Sequence, residues 1–132
     1  MYTELEIKVL VDQALDYNLE GAPLLKAYST RELQQIFNGI GPSWLPEPIR
    51  EKLSSWLEIF LPAALIHDVQ YAIGGSKESF DAVNDSFGGN CRIIVKTLYS
   101  WWSWKRYAGL RMANYMTELC QKYGWSAWGG QA

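Results

Sequence analysis

The sequence predicts an all-α fold in which two central helices pack antiparallel, and three observations predict it. Apolar residues recur at three- and four-residue intervals through most of the chain. The candidate helix ends carry glycine, proline or capping residues. No stretch alternates apolar and polar residues for long enough to predict more than a minor hairpin. With 132 residues and no linker or internal repeat, residues 1–132 are expected to form a single helical domain.

The first part of the chain contains two predicted helices. An apolar stripe predicts the first, from about Glu4 to Leu19, which should stop at the Gly-Ala-Pro run of residues 21–23. Ser29 and Glu32 have the spacing of a capping box, so a short helix is expected to start near Thr30. A glycine-rich loop should follow, Phe-Asn-Gly-Ile-Gly-Pro over residues 37–42, because glycine tolerates unusual backbone angles.

Four further helices are predicted in the rest of the chain, before a tail over residues 124–132. Their expected spans are Ile49–Phe60, Pro62–Ile73, Lys77–Tyr99 and Lys105–Tyr123. Gly74-Gly75 ends the second of these helices, and Ser76 is a good N-cap for the third. Since the connection is so short, these two helices are expected to be the antiparallel central pair.

Composition excludes several classes of protein. The chain has 12 Lys and Arg against 14 Asp and Glu, which argues against nucleic-acid binding. One histidine cannot complete a two-Cys, two-His zinc site, and Cys91 and Cys120 lack the paired spacing of structural zinc ligands. The N-terminus carries acids where a signal peptide needs basic residues, and the longest apolar stretch, residues 59–66, is too short to span a membrane. A cytoplasmic location is therefore expected.

Polar residues stand where a helical protein should place its core. His67 and Tyr71 are four residues apart and share a helical face. Asn84 is the strongly polar member of an apolar stripe on the next helix, and a buried amide needs a partner. Antiparallel packing predicts that Asn84 lies near His67. The alternatives are a purely structural histidine and an amide that bonds a backbone group instead.

The glycine-rich loop and Asp68 are a second candidate site. Alternating glycines allow successive carbonyl groups to turn towards one point. Carbonyl oxygens together with one carboxylate suit calcium, a hard ion that prefers oxygen ligands. Asp68, next to His67 in the sequence, would supply the carboxylate. A plain turn is the alternative for a Gly-x-Gly motif that stands by itself.

Taken together, these segments resemble one known pattern. The glycine-rich loop precedes His67-Asp68-x-x-Tyr71-x-x-Gly74-Gly75 by about 25 residues, and Asn84-x-x-Phe87-x-x-Asn90 follows. The chain is similar to the phospholipase A2 superfamily, most closely to its short bacterial and phage-encoded members, and the likeness runs from about Phe37 to Asn90. The resemblance implies a phospholipase A2-like pair of central helices preceded by the glycine-rich loop, and a phage or prophage origin.

The resemblance also implies a chemistry. His67 would be the general base for hydrolysis of the sn-2 ester of a phospholipid, supported by Tyr71 and Asn84. Ca²⁺ would be the cofactor, and its ligands would be Asp68 and three carbonyl groups, those of Phe37, Gly39 and Gly41.

Two features depart from the pattern of the family, and one is the absence of a cysteine pair that related proteins often carry at the positions of Asn38 and Ala64. The other is Asn84. The family usually has aspartate where this chain has Asn84, and an amide cannot stabilise an imidazolium with a full negative charge. The alternative function is therefore a catalytically impaired phage or bacterial accessory protein that acts by binding another protein.

An aromatic and basic segment follows the predicted central helices. Its candidate contact residues are Trp101, Trp102, Trp104, Lys105 and Arg106. Tryptophan beside Lys and Arg indicates a membrane-binding surface, because Trp is favoured at the depth of the lipid headgroups and Lys and Arg attract anionic lipid. Exposed Trp and Arg are also typical anchors of protein partners. The third interpretation is a corner between helices whose tryptophans close the core.

Overall fold

The computed structural model describes residues 2–37 and 46–129, and within these residues all regular structure is helical. The all-α prediction is confirmed. The described elements are α1 (Glu4–Asp16), a 3₁₀ helix (Ala22–Ala27), α2 (Thr30–Ile36), α3 (Glu47–Ile59), α4 (Leu61–Ile73), α5 (Lys77–Leu98), α6 (Trp104–Tyr123) and a second 3₁₀ helix (Gly124–Ala127). None of the described helices is long and apolar enough to cross a bilayer.

The first helix is shorter than predicted, because the chain leaves the helix at Asp16 rather than Leu19. Asn18 has a left-handed φ of 55° and Gly21 a φ of 84°. These angles turn the chain back over α4, where a Cβ on Gly21 would lie 2.9 Å from the Ile66 side chain. The 3₁₀ helix that follows is absent from the sequence prediction, which treats this stretch only as a helix stop.

Helices α4 and α5 pack antiparallel through the predicted short connection. His67 contacts Asn84 and Phe87, whereas Tyr71, one turn later on α4, contacts Phe80 at the beginning of α5. Gly74 and Gly75 make the reversal with φ values of 72° and 141°, which glycine adopts without strain. The antiparallel pair therefore brings one face of α4 onto one face of α5.

Helices α5 and α6 form a second antiparallel hairpin, held close by glycines. Gly88 of α5 lies directly against Thr117 of α6, and a Cβ there would clash with the threonine side chain. Gly109 of α6 lies against Val95 and Trp56, and a Cβ there would meet both within 3 Å. Such approaches leave no room for a methyl group, so α5 and α6 lie in close contact at both places.

A buried asparagine ties the turn after α1 to the middle of α5. The Asn90 side chain is 2% exposed. Its Nδ2 donates to the Glu20 carbonyl at 2.9 Å, and its Oδ1 accepts from the Glu20 amide at 2.8 Å. Both polar ends of the amide are thereby satisfied, as burial requires. The core thus joins α1, α4, α5 and α6, and the central helices lie inside it.

Candidate functional site

Three polar side chains meet between α4 and α5. Nε2 of His67 lies 3.0 Å from Oδ1 of Asn84, and the hydroxyl of Tyr71 donates to the same oxygen at 2.7 Å. His67 is 2% exposed and Asn84 is fully buried. The structure therefore brings together the three residues that the sequence predicts as the His67 site.

The shared oxygen fixes the tautomer of the histidine. A carbonyl oxygen only accepts hydrogen bonds, so Nε2 of His67 must carry the proton that it shares with Asn84. Nδ1 then keeps its lone pair, and among the described residues no hydrogen bond to Nδ1 is formed. In this tautomer Nδ1 is the nitrogen that can accept a proton from a reacting group.

The amide nitrogen of Asn84, unlike its oxygen, has no hydrogen-bond partner among the described residues, although Nδ2 is buried. Leaving a buried donor unpaired costs roughly 1–3 kcal/mol. The buried amide therefore costs stability at its nitrogen, while its oxygen binds both His67 and Tyr71.

Burial governs the acidity of the histidine. Removal from water lowers the pKa of His67 from 6.5 to about 4, and the hydrogen bond to Asn84 opposes this shift only in part. The imidazole is therefore neutral at pH 7. Its ring is enclosed by the rings of Tyr71 and Phe87, with centroids 4.2 and 4.5 Å away.

Asp68 lies beside the histidine but belongs to a different environment. It is partly buried, and within residues 2–37 and 46–129 its carboxylate makes no ion pair or hydrogen bond. Desolvation raises the pKa of Asp68 to about 7. The nearby thiol of Cys120, whose pKa is itself raised by burial, offers no positive charge. In the part of the chain that the structure describes, Asp68 is thus a carboxyl group with no compensating cation, and burial favours its neutral form.

Of the other three predicted calcium ligands, the structure describes only Phe37. Gly39 and Gly41 lie outside the described residues, and Phe37 is a buried residue at the end of α2. The described residues contain no group of three or more His, Cys, Asp and Glu side chains that could hold a metal ion.

The C-terminal tail contributes a residue that the sequence did not single out for the site. Trp128 is 2% exposed and lies edge-on to Tyr71, with ring centroids 5.2 Å apart. Its Nε1 donates to the Gly75 carbonyl at 2.9 Å, and the Gly129 amide donates to the Tyr71 carbonyl at 3.1 Å. In the sequence, this segment is a weak echo of the family pattern, and Trp128 stands among small residues without a helical period, so its spacing predicts no partner.

The aromatic segment between α5 and α6 lies in solvent. Trp101, Trp102 and Trp104 are 70%, 71% and 72% exposed. The interpretation in which these three tryptophans close the core is therefore wrong, because a core side chain has lost nearly all contact with water. Lys105 is also exposed, and Arg106 is partly buried with Nη1 3.4 Å from the Tyr99 carbonyl.

Comparison of the chain with protein-family models, with curated proteins and with solved structures gave no match. The assignment of a function therefore depends on the chemistry of the site itself.

Proposed function

We propose that the protein is a calcium-dependent, phospholipase A2-like hydrolase that cleaves the sn-2 ester of phospholipids with His67 as general base. The observation that carries the proposal is the hydrogen bond from Nε2 of His67 to Oδ1 of Asn84. It holds the imidazole in the tautomer in which Nδ1 can take a proton from a water that attacks an ester carbonyl. Tyr71 holds the acceptor oxygen from the other side.

Asn84 determines how far this chemistry can go. When Nδ1 accepts the proton, the ring becomes an imidazolium, and the amide oxygen stabilises its charge only as a dipole. A carboxylate at the same position would supply a full negative charge. The arrangement therefore supports orientation of His67 more strongly than it supports stabilisation of its charged form.

Asp68 fits the calcium part of the proposal. A partly buried carboxylate with a raised pKa and no cation among the described residues is a suitable oxygen ligand for a hard divalent ion. The carbonyl groups of Phe37, Gly39 and Gly41 would complete the predicted ligand set. When bound, Ca²⁺ supplies a Lewis acid that polarises the ester and stabilises its developing oxyanion.

A second candidate function is favoured by the closure of the site. At 2% exposure, His67 meets a substrate only after neighbouring side chains move. The second candidate is a binding protein of bacterial or phage origin that keeps the fold, lacks catalysis and acts through another protein. Its contact residues would be the exposed tryptophans 101, 102 and 104.

Fatty-acid release from mixed phospholipid–detergent micelles in millimolar Ca²⁺ separates the two candidates. We expect release by the wild-type chain and a loss on the order of 10²–10⁴-fold for His67→Gln, the size of a general-base contribution. Asp68→Asn, at a partly exposed position, should also lose release because the calcium ligand is gone. No release by a folded wild-type chain would contradict the hydrolase proposal.

Asp85→Asn is the matched control. Asp85 is an exposed carboxylate on α5, next to Asn84 in sequence. Its removal changes the net charge as Asp68→Asn does, but touches neither His67 nor the proposed calcium ligands. Equal losses in Asp68→Asn and Asp85→Asn would show that the effect is one of overall charge and not of metal binding.

A further inference from the structure

One segment of the chain carries cations but no acids. Between residues 92 and 117 there are five cations and no Asp or Glu, in a chain whose acids outnumber its Lys and Arg by 14 to 12. The five cations are Arg92, Lys96, Lys105, Arg106 and Arg111. Residues outside this segment therefore carry all 14 acids, and one region of an acidic protein is basic.

The same segment carries the most exposed aromatic residues of the described chain. Besides the three tryptophans, Tyr107 is 61% exposed. Trp101 and Trp102 pack edge-on against each other, with centroids 5.8 Å apart. Side chains of this size are placed in water at considerable cost unless something covers them.

These residues continue from the turn onto one face of α6. Trp104, Tyr107 and Arg111 follow one another at spacings of three and four residues, so they share a helical face. Tyr115, four residues further, is 41% exposed and belongs to the same face. We define the aromatic-basic face as six of these residues: Trp101, Trp102, Trp104, Lys105, Tyr107 and Arg111.

The cations of this face are available for a partner. Lys105 and Arg111 are exposed, and within residues 2–37 and 46–129 they form no ion pair. By contrast, Arg92 donates to Oδ1 of Asn114 at 2.7 Å and Arg106 to the Tyr99 carbonyl. Lys105 and Arg111 therefore offer charge to an anionic surface without breaking an internal contact.

We infer that the aromatic-basic face binds the headgroup region of an anionic lipid bilayer, with the first turns of α6 lying along its surface. Tryptophan and tyrosine are favoured at headgroup depth, and exposed Lys and Arg attract anionic lipid. The side chains protrude from a turn and one helix face. Such a protruding surface can enter a layer of lipid headgroups, which adapts to its shape, whereas a protein partner would need a surface of complementary shape.

The face is separate from the His67 site. Phe87, which packs on His67, and Leu98 at the end of α5 are eleven residues apart, about 16 Å along a helix axis. Variants in the face should therefore leave the His67 site intact. The inference does not rest on the proposed hydrolysis.

Vesicle flotation in EDTA tests the inference, with ether-linked lipids that contain no ester to cleave. We expect the full chain to float with vesicles of phosphatidylcholine and phosphatidylglycerol, and much less with phosphatidylcholine alone. A Trp101→Ala/Trp104→Ala double variant should lose most of the binding. Lys105→Glu should weaken it at least about fivefold, since one cation near an anionic surface contributes about 1 kcal/mol.

Two matched controls sit on α1, on exposed positions outside the face. Lys8→Glu makes the same charge change as Lys105→Glu, and Leu5→Ala shortens an apolar residue that is 71% exposed. Both should bind vesicles as the wild type does. Circular dichroism melting should be unchanged in every variant, because the altered side chains lie in solvent.

Three results would overturn the inference. One is equal flotation with neutral and anionic vesicles, and another is an equal effect of Lys105→Glu and Lys8→Glu. The third is failure of vesicle binding together with a dimer, or a purified protein complex, that the tryptophan double variant disrupts. In that case the face binds a second copy or a protein partner and not lipid.

Discussion

The Asn84 side chain makes unequal use of its two ends. Its oxygen serves two donors, His67 and Tyr71, whereas its nitrogen is buried without a partner among the described residues. The oxygen orients the imidazole, and the nitrogen only costs stability. A carboxylate would replace the unpaired donor by a second acceptor and add a negative charge beside the ring.

Asn84→Asp is therefore expected to raise the pKa of His67 above about 4, because a nearby negative charge favours the imidazolium. If the hydrolase proposal holds, kcat should rise by up to about 10⁴-fold, the loss caused by the reverse exchange in serine proteases. As His67 is the sole histidine of the chain, its Hε1 resonance in an NMR titration reports this pKa without ambiguity.

Asn114→Asp is the control for this exchange. Asn114 is an exposed amide on α6 that binds Arg92, so the new charge forms a surface ion pair far from the imidazole. The His67 titration should not move in this variant. An unchanged titration in Asn84→Asp as well would show that the amide does not control the acidity of His67.

At the scale of elements, the tail acts on the site through α4. Trp128 packs on Tyr71 and Phe80 and hydrogen-bonds the turn between α4 and α5, so it closes the end of the helix pair next to the His67 network. Tyr71 in turn holds the Asn84 oxygen. Trp128 therefore positions Tyr71, and the described ring contacts of Trp128 do not include the histidine.

Trp128→Ala should lower the free energy of unfolding by about 3 kcal/mol, as expected when a buried aromatic side chain is truncated. It should also shift the Hε1 resonance of His67, because Tyr71 loses one wall of its pocket. Trp128→Phe keeps the ring contact but loses the hydrogen bond to Gly75, so the loss should be nearer 1 kcal/mol. Urea unfolding and one-dimensional NMR measure both effects.

The comparison variant for the tail is Trp102→Ala, which removes a tryptophan that is 71% exposed. Its free energy of unfolding should change by less than about 0.5 kcal/mol. If Trp128→Ala and Trp102→Ala lowered the free energy of unfolding equally, the burial of Trp128 would not be the cause of its effect on stability.

Local signals explain which elements the sequence could predict. The capping box of α2 forms as expected, with the Glu32 amide donating to Ser29 and the Ser29 amide donating to Glu32. The contact between His67 and Asn84 followed from a period of 3.6 residues and a short connection. Such features depend on neighbours close in sequence, or on one turn that joins two helices.

The parts that the sequence did not predict depend on contacts between distant residues. The 3₁₀ helix after α1 is held where Asn90, 70 positions along the chain, binds Glu20. Trp128 lies 53 positions from its acceptor Gly75. Neither contact has a local period, and Gly39 and Gly41, the expected calcium-loop residues, lie outside the described residues.

For the molecule as a whole, the adjacent residues His67 and Asp68 have opposite effects on stability. His67 titrates at 6.5 unfolded and about 4 folded, so in this interval the unfolded chain binds the extra proton and stability rises with pH. Asp68 titrates at 3.8 unfolded and about 7 folded, so the folded chain binds the extra proton and stability falls with pH. Between about pH 4 and 6.5 the two slopes nearly cancel.

Each single variant should leave only one of the two pH dependences of the free energy of unfolding. Urea unfolding in EDTA between about pH 4 and 6.5 measures this. Relative to wild type, Asp68→Asn should gain stability as pH rises, by about 1.4 kcal/mol per pH unit, and His67→Gln should lose a similar amount. The double variant should return to the wild-type pH dependence. If the free energy of unfolding depended on pH in the same way in the wild type, both single variants and the double variant, the opposite effects of the two residues would be contradicted.

The absence of acids from residues 92–117, which carry five cations, has a consequence for motion as well as for binding. A molecule with one acid-free basic region has an uneven charge distribution, even when its net charge is only −2. In the field of an anionic surface such a molecule turns while it diffuses. Its collisions are then enriched in those that present α6 first. Repulsion of the net charge of −2 by that surface would on its own make added salt speed arrival, whereas attraction through the basic region predicts that added salt slows it.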